Sequence, residues 1–231
     1  MTFAPDEKPE PLTIDIVSDV VCPWCYIGKR NLEAALAELP RDDIEIRWRP
    51  YQLDPTIPPE GIARRAYLER KFGARIDEIY SRVAAAGRDA GIDFAFDRIE
   101  RSPNTLDAHR LIRWSQSVGK QDELVERLFR DFFVEGRDVG DRAVLIEAAG
   151  AVGMELDVVK RLLAGDADKD SVREEIATAQ RLGVTGVPFF ILAGRFGMPG
   201  AQPPEVLASA IKKAAEKSGE LVEDKRFFTR F

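Results

Sequence analysis

The sequence predicts an α/β fold in which strand-bearing segments over residues 12–60 and 183–231 form one unit, with a large all-helical insertion over residues 61–182 between them. Three observations predict it. The apolar, β-branched runs that read as strands lie toward the two ends, at 12–17, 44–51 and 188–192. The long middle instead carries apolar residues at helical spacing. Both end segments alternate strand with helix, giving β-α-β, then the insertion, then β-β-α.

Leu12 to Val17 reads as a buried strand that runs through Ser18-Asp19-Val20-Val21 into a loop. From Pro23 onward Trp24, Ile27, Leu32, Ala35, Leu36 and Leu39 recur at helical spacing until Pro40. Ile44, Ile46 and Trp48 then alternate with charged residues until Asp54-Pro55 breaks the strand. In the insertion the pattern predicts helices over 62–72, 74–90, 105–118, 122–133, 142–151, 156–163 and 170–182, with 92–96 as a short extended connection. Gly91 and Gly183 stand where two of these stop, and Asp141 where one begins. The stretch 122–133 sets Leu124, Leu128 and Phe132 beside Val125, Phe129 and Phe133, so it is expected to be nearly buried. A strand at 188–192, a hairpin partner at 195–198 and an amphipathic helix over 204–217 complete the pattern, while the proline-rich residues 1–11 read as a disordered tail.

A chain of 231 residues, 45% of them apolar, can bury a sizeable core. The net charge of −6 argues against a nucleic-acid partner, because phosphate binding draws on clustered Lys and Arg. Here the basic residues are interleaved with acids, as in Arg64-Arg65 with Glu69 or Lys212-Lys213 with Glu216, and read as solvated helix faces. No apolar run approaches the roughly 18 residues that cross a bilayer, and the first residues lack the pattern of a secretory signal. The expectation is a cytoplasmic chain with no membrane partner and an open oligomeric state.

The two cysteines of the chain stand three positions apart in Cys22-Pro23-Trp24-Cys25. A disulfide-stapled fold would scatter its cysteines over distant segments, whereas a pair sharing one exposed turn is the pattern of a working dithiol. Thiol-disulfide exchange needs an attacking thiolate, a resolving thiol and a leaving sulfur of low pKa. At a helix start Cys22 would face unpaired backbone N–H groups and the positive end of the helix dipole, which lower a thiol pKa from about 8.5 toward roughly 3.5 to 7.5. Cys22 is therefore the candidate nucleophile and Cys25, one turn into the helix, the resolving thiol. Pro23 fits the first helical turn, where its missing N–H is no loss. Two other readings compete. Half of a zinc site would need two further ligands, against no third Cys and the single His109, so no metal is expected. A pair of inert core cysteines would bury a reactive arrangement.

Gly183-Val184-Thr185-Gly186-Val187-Pro188 is the second element. A proline opening a strand after a glycine loop points to a cis peptide at Val187–Pro188, the alternative being a plain strand-edge proline. His109 either orients a thiol near neutral pH or is structural, and Asn104 and Thr105 stand where they can cap its helix. Trp48, Trp114, Phe129, Phe132 and Phe133 read as core, and some aromatic surface of the insertion is expected to line a groove over Cys22.

Ser18-Asp19-Val20-Val21-Cys22-Pro23-Trp24-Cys25-Tyr26-Ile27-Gly28, Asn104-Thr105 with Ala108-His109-Arg110, the segment from Leu128 to Gly136, Gly186-Val187-Pro188-Phe189-Phe190 and Gly200-Ala201-Gln202 together resemble the FrnE-type branch of the DsbA family. The resemblance covers nearly the whole chain. It implies a thioredoxin-like fold with a helical insertion and a dithiol-disulfide oxidoreductase or isomerase acting on a thiol- or disulfide-containing protein or small molecule. It makes Cys22 the attacking thiol, Cys25 the resolving thiol and Pro188 the cis-proline, with the backbone of Val187 free to pair with an extended substrate. Pro23, Trp24, Val187, Pro188 and His109 are the candidate substrate-contacting residues. The acid that many thioredoxin-like enzymes carry six residues before the first Cys is replaced here by Ile16, flanked by Asp15 and Asp19, and leaves the proton relay unassigned. No bound cofactor is implied. An alternative is a glutathione-dependent isomerase or transferase similar to the hydroxychromene-carboxylate isomerases and kappa-class transferases, with glutathione as co-substrate and a small aromatic or polyketide-like substrate. Those relatives usually carry Ser in place of the first Cys and lack the second, so retention of both thiols separates the readings. A non-catalytic holdase that uses the apolar insertion is a third class.

Overall fold

Residues 11–40 and 43–219 are described by the structure, a computed structural model, with no account of the side chains of 218 and 219. The tail expected over 1–11 thus lies outside the described residues, except for Pro11. A four-stranded sheet is built from β1 (Leu12–Ser18), β2 (Ile44–Pro50), β5 (Phe189–Leu192) and β6 (Phe196–Pro199) in the order β2-β1-β5-β6. Strand β1 runs parallel to β2, from Leu12 opposite Ile44 to Ser18 opposite Pro50. It runs antiparallel to β5, with Val17 opposite Phe189 and Ile14 opposite Leu192. With a partner on each edge and helices over it, β1 is buried along most of its length, as its near-continuous apolar run requires.

Helix α1 (Pro23–Ala37) follows β1, and α9 (Pro204–Gly219) packs beside it. Between β2 and β5 lie α2 (Arg64–Phe72), α3 (Ile76–Asp89), α4 (Leu106–Gln116), α5 (Gln121–Phe133), α6 (Arg142–Ala151), α7 (Leu156–Ala164) and α8 (Lys169–Arg181). On α5, Leu124, Val125, Leu128, Phe129, Phe132 and Phe133 are all fully buried, each stabilising the fold by roughly 1.5–3 kcal/mol through the apolar area it removes from water. Tyr26 of α1 stacks on Phe129, ring centroids 5.0 Å apart, so sheet, α1 and middle helices share one continuous core. Asp141 caps α6 as expected, its carboxylate accepting from the Ala143 N–H at 2.8 Å.

Three local expectations are corrected. Residues 62 and 63 form a short strand β3 (Ile62–Ala63) paired with β4 (Arg101–Ser102) instead of opening α2, because Gly61, in the left-handed region at φ 70°, turns the chain against Ser102. A 3-10 turn at Gly73–Arg75 separates α2 from α3, which therefore begins at Ile76. Arg64, expected on a solvated face, is 8% exposed, with its guanidinium 5.3 Å from the centroid of the Phe132 ring and its Nε bonded to Tyr80 Oη at 3.2 Å. The flat, weakly hydrated guanidinium tolerates that aromatic seat.

Arg110 on α4 is fully buried and stacks on Trp114, which is half-buried and donates through Nε1 to Asp168. It donates to the carbonyls of Ala167, Leu162 and Gly165 and to Asp107, fastening α4 to the α7–α8 connection. Arg110→Ala leaves these acceptors unpaired inside the protein and is expected to lower stability by about 3 kcal/mol or more, read as a lower urea midpoint at unchanged slope.

Candidate active site at the start of helix α1

Ser18 ends β1, and its carbonyl accepts from the Tyr51 N–H at 3.0 Å, which holds the chain leaving β2 alongside. Asp19 is fully buried, and its Oδ2 accepts from the Leu53 N–H at 2.8 Å. The turn closes when Cys22 N–H donates to Asp19 O at 3.0 Å, placing Cys22 as the extended N-cap of α1 with Pro23 in the first turn. Cys25 N–H then donates to Cys22 O at 3.0 Å.

Both cysteines are free thiols, and Cys22 lies close enough to Cys25 to raise that thiol's hold on its proton. The exposed turn expected from the sequence is exposed at Trp24 (38%), whereas Cys22 (4%) and Cys25 (1%) are buried. Cover comes from the Val187–Pro188 turn, since Cys22 Sγ lies 3.5 Å from Val187 O. The Val187–Pro188 peptide is cis, and Pro188 O accepts from the Gly200 N–H at 2.8 Å. Gly28 allows this turn to approach α1, since a Cβ there would meet Pro188 Cγ at 3.0 Å. Burial, followed by the bond to Cys22 and its charge, holds the Cys25 thiol well above the ordinary thiol range, with bonds from Ser18 and the Asp19 backbone opposing. Cys25 therefore keeps its proton until that proton is taken from it.

Of the residues singled out in the sequence, Cys22, Pro23, Trp24, Cys25, Val187 and Pro188 gather here. His109 sits deeper: its Nε2 is 2.8 Å from Tyr51 O and 3.4 Å from Asp19 Oδ1. Asn104 accepts from the Leu106 N–H at the start of α4, whereas Thr105 turns its hydroxyl toward Gln52. Ser18 opens the stretch that carries the family resemblance, yet nothing in the sequence gives it a role beyond a hydroxyl at the C-terminal end of a buried strand four residues before Cys22. Under α1, the buried Lys29 pairs with Glu33, Asp122 and Glu126, locking the helix to α5. Tyr26 donates to Glu126 at 2.8 Å, and burial together with that carboxylate pushes its phenol up to about 12.

An aromatic-walled cleft lies on the insertion. A cleft of about 960 Å³ is lined by Arg64, Leu68, Ile76, Tyr80, Phe94 and Phe96, among others, and by no residue of the cysteine turn. Aromatic stacking joins Phe94 and Phe96 to Tyr80 and Phe133 in its wall. Among the described residues no three His, Cys, Asp or Glu side chains gather as metal ligands. No described helix is long and apolar enough to cross a membrane.

Residues 13–212 match the DSBA-like thioredoxin domain. The chain belongs to this family. Among solved structures, this DSBA-like protein is similar to the probable DsbA oxidoreductase of Streptomyces coelicolor, at 33% identity and a TM-score of 0.82 over 93% of each chain. The cytosolic disulfide reductase DsbM of Pseudomonas aeruginosa, also solved with glutathione, shares the fold at 17% identity and a TM-score of 0.62, over 89% of this chain and 99% of that one. A 2-hydroxychromene-2-carboxylate isomerase shares it at 15% identity and a TM-score of 0.66, over 91% of this chain and 100% of that one.

A thiol held protonated is slow toward alkylation, which consumes thiolate. In the reduced DSBA-like protein, peptide mapping after iodoacetamide is expected to show Cys25 labelled at least tenfold more slowly than in the urea-unfolded chain at about pH 8.5, with the lag shrinking as pH rises.

Proposed function

We propose that the protein is a dithiol-disulfide oxidoreductase of the FrnE-type branch, which forms, reduces or isomerises disulfides by cycling Cys22 and Cys25. One observation carries this reading: two free thiols share a helix start, the first facing Val187 O and the second held on its proton by burial and by its neighbour. In the reducing direction Cys22 attacks a substrate disulfide as thiolate, and its new bond to one substrate sulfur expels the other. Cys25 then loses its proton and attacks Cys22, releasing the second substrate thiol. Two electrons pass from the dithiol to the substrate, and the oxidising direction is the reverse. Val187, half-buried beside Cys22, offers its backbone to an extended substrate, with Pro23, Pro188 and the exposed Trp24 around it. The substrate is a disulfide- or thiol-containing protein or small molecule, with glutathione as co-substrate in the cytoplasm, and the fold shared with DsbM supports that setting.

A second reading is favoured by the cleft beside α2 and α3. Its aromatic walls and the buried Arg64, which pairs with no carboxylate among the described residues, suit a small aromatic substrate in a glutathione-dependent isomerisation, with Arg65, Glu69, Asp77 and Asp97 also in the lining. Insulin reduction separates the two. Under the dithiol reading Cys22→Ser abolishes turnover and Cys25→Ser accumulates a mixed disulfide visible by mass spectrometry. Full insulin turnover by Cys22→Ser would refute it, and glutathione-dependent isomerisation surviving in that variant would establish the second.

A further inference from the structure

Resolution of the mixed disulfide requires Cys25, 1% exposed, to lose its proton. The side chain of Ser18, at the end of β1, acts on this thiol in the direction that favours its thiolate. Ser18 also lines a void of about 10 Å³, the size at which one water fits, whose wall includes His109 and Arg49. His109 Nε2 faces the Tyr51 carbonyl at 2.8 Å, so in the tautomer this contact favours Nε2 carries the hydrogen and Nδ1 is an acceptor. No described residue bonds Nδ1. Asp19 Oδ1 lies 3.4 Å from Nε2 and has no hydrogen-bond partner of its own, although it is completely buried. A buried carboxyl oxygen left unsatisfied beside an imidazole is costly in the resting state. It becomes an asset once the ring gains a proton, because the imidazolium then has a carboxylate and a carbonyl at Nε2.

We infer that His109, supported by Asp19, takes the Cys25 proton through Ser18 and the adjoining void as Cys25 attacks the mixed disulfide. This rests on the dithiol reading. The proton leaves Cys25 Sγ, passes the Ser18 hydroxyl and a water in the void, and arrives at His109 Nδ1. Cys25 Sγ bonds to Cys22 Sγ, the bond from Cys22 to the substrate sulfur breaks, and that sulfur departs with the electron pair and is protonated by solvent. Solvent water later removes the proton from His109. Asp15, the other acid beside β1, is occupied by Arg49 at 2.6 Å and does not serve. The charged groups that face the imidazole are Asp19 from the turn, Arg49 from β2 and Glu175 from α8, whose charge interacts with His109. His109 and Asp19 are thus positioning and proton-handling residues behind the thiol, and neither touches substrate.

The test uses the full chain, reduced, mixed with dithiobis(nitrobenzoate). Attack by Cys22 releases one nitrothiophenolate, and resolution by Cys25 releases a second. The ratio of the second rate to the first is expected to fall about tenfold or more in His109→Gln at about pH 7, and by a smaller factor in Asp19→Asn, within the range of a lost general base. The deficit disappears as pH rises and hydroxide takes the Cys25 proton directly. An unchanged ratio, or a loss equal at every pH, overturns the relay and assigns His109 to packing. Should both variants fail to fold, the native protein decides: its second phase must reach a plateau that no longer follows hydroxide, and a rate that climbs with hydroxide throughout overturns the relay. If the native chain never releases the second equivalent, or if Cys22→Ser still releases the first, the dithiol reading itself is what fails.

Discussion

The pairing of β1 on both edges is the constraint on which the site depends. Because β1 and β5 are antiparallel and Val17 stands opposite Phe189, the chain leaving β1 and the chain entering β5 meet at the same end of the sheet. Cys22 lies on the first and Val187–Pro188 on the second, so hydrogen-bond register alone delivers a thiol from one quarter of the sequence to a carbonyl from another. The parallel partner β2 does the same for Tyr51, which leaves its strand beside Ser18 and presents a carbonyl to His109. A slip of one residue in either pairing would turn every one of these side chains to the opposite face.

Position in one helical turn then divides two chemically identical groups that are both buried. Cys22 and Cys25 share one turn of helix, yet one faces a carbonyl at the rim of the turn and the other is enclosed by core residues next to Ser18. The exclusion of water that keeps Cys25 protonated also strengthens any polar contact made near it, so the few polar side chains beneath α1 carry unusual weight. Lys29 is bound by three carboxylates, and Asp19 is anchored to the Leu53 backbone through one oxygen. The other oxygen of Asp19 is left with the imidazole alone.

The helices between β2 and β5 contribute more than bulk. Through Phe129, Phe133 and Tyr26 they share a core with α1, and through Arg110 and Asp107 they are tied together by buried hydrogen bonds that only a folded chain can satisfy. They also create the cleft around Arg64, remote in its lining from the cysteine turn. Thioredoxin-like sheet and helical segment are therefore one packing unit.

By itself the sequence determined the α/β pattern, the order of strands and helices, the cap at Asp141, the burial of α5 and the position of both thiols at a helix start, because each is a local matter of periodicity, capping or spacing. Residues 62 and 63 escaped it, since their strand exists only through a partner at 101–102 that no local pattern announces. Arg64 escaped it for a related reason: a charge reads as solvated until an aromatic floor from a distant helix is placed beneath it. Tertiary structure alone decided that Cys22 is covered by Val187, that His109 lies behind the thiols with Asp19 instead of beside them, and that Ser18 meets Cys25. Such contacts join residues up to 165 positions apart and are set by sheet register and core packing, which no single stretch of the chain encodes.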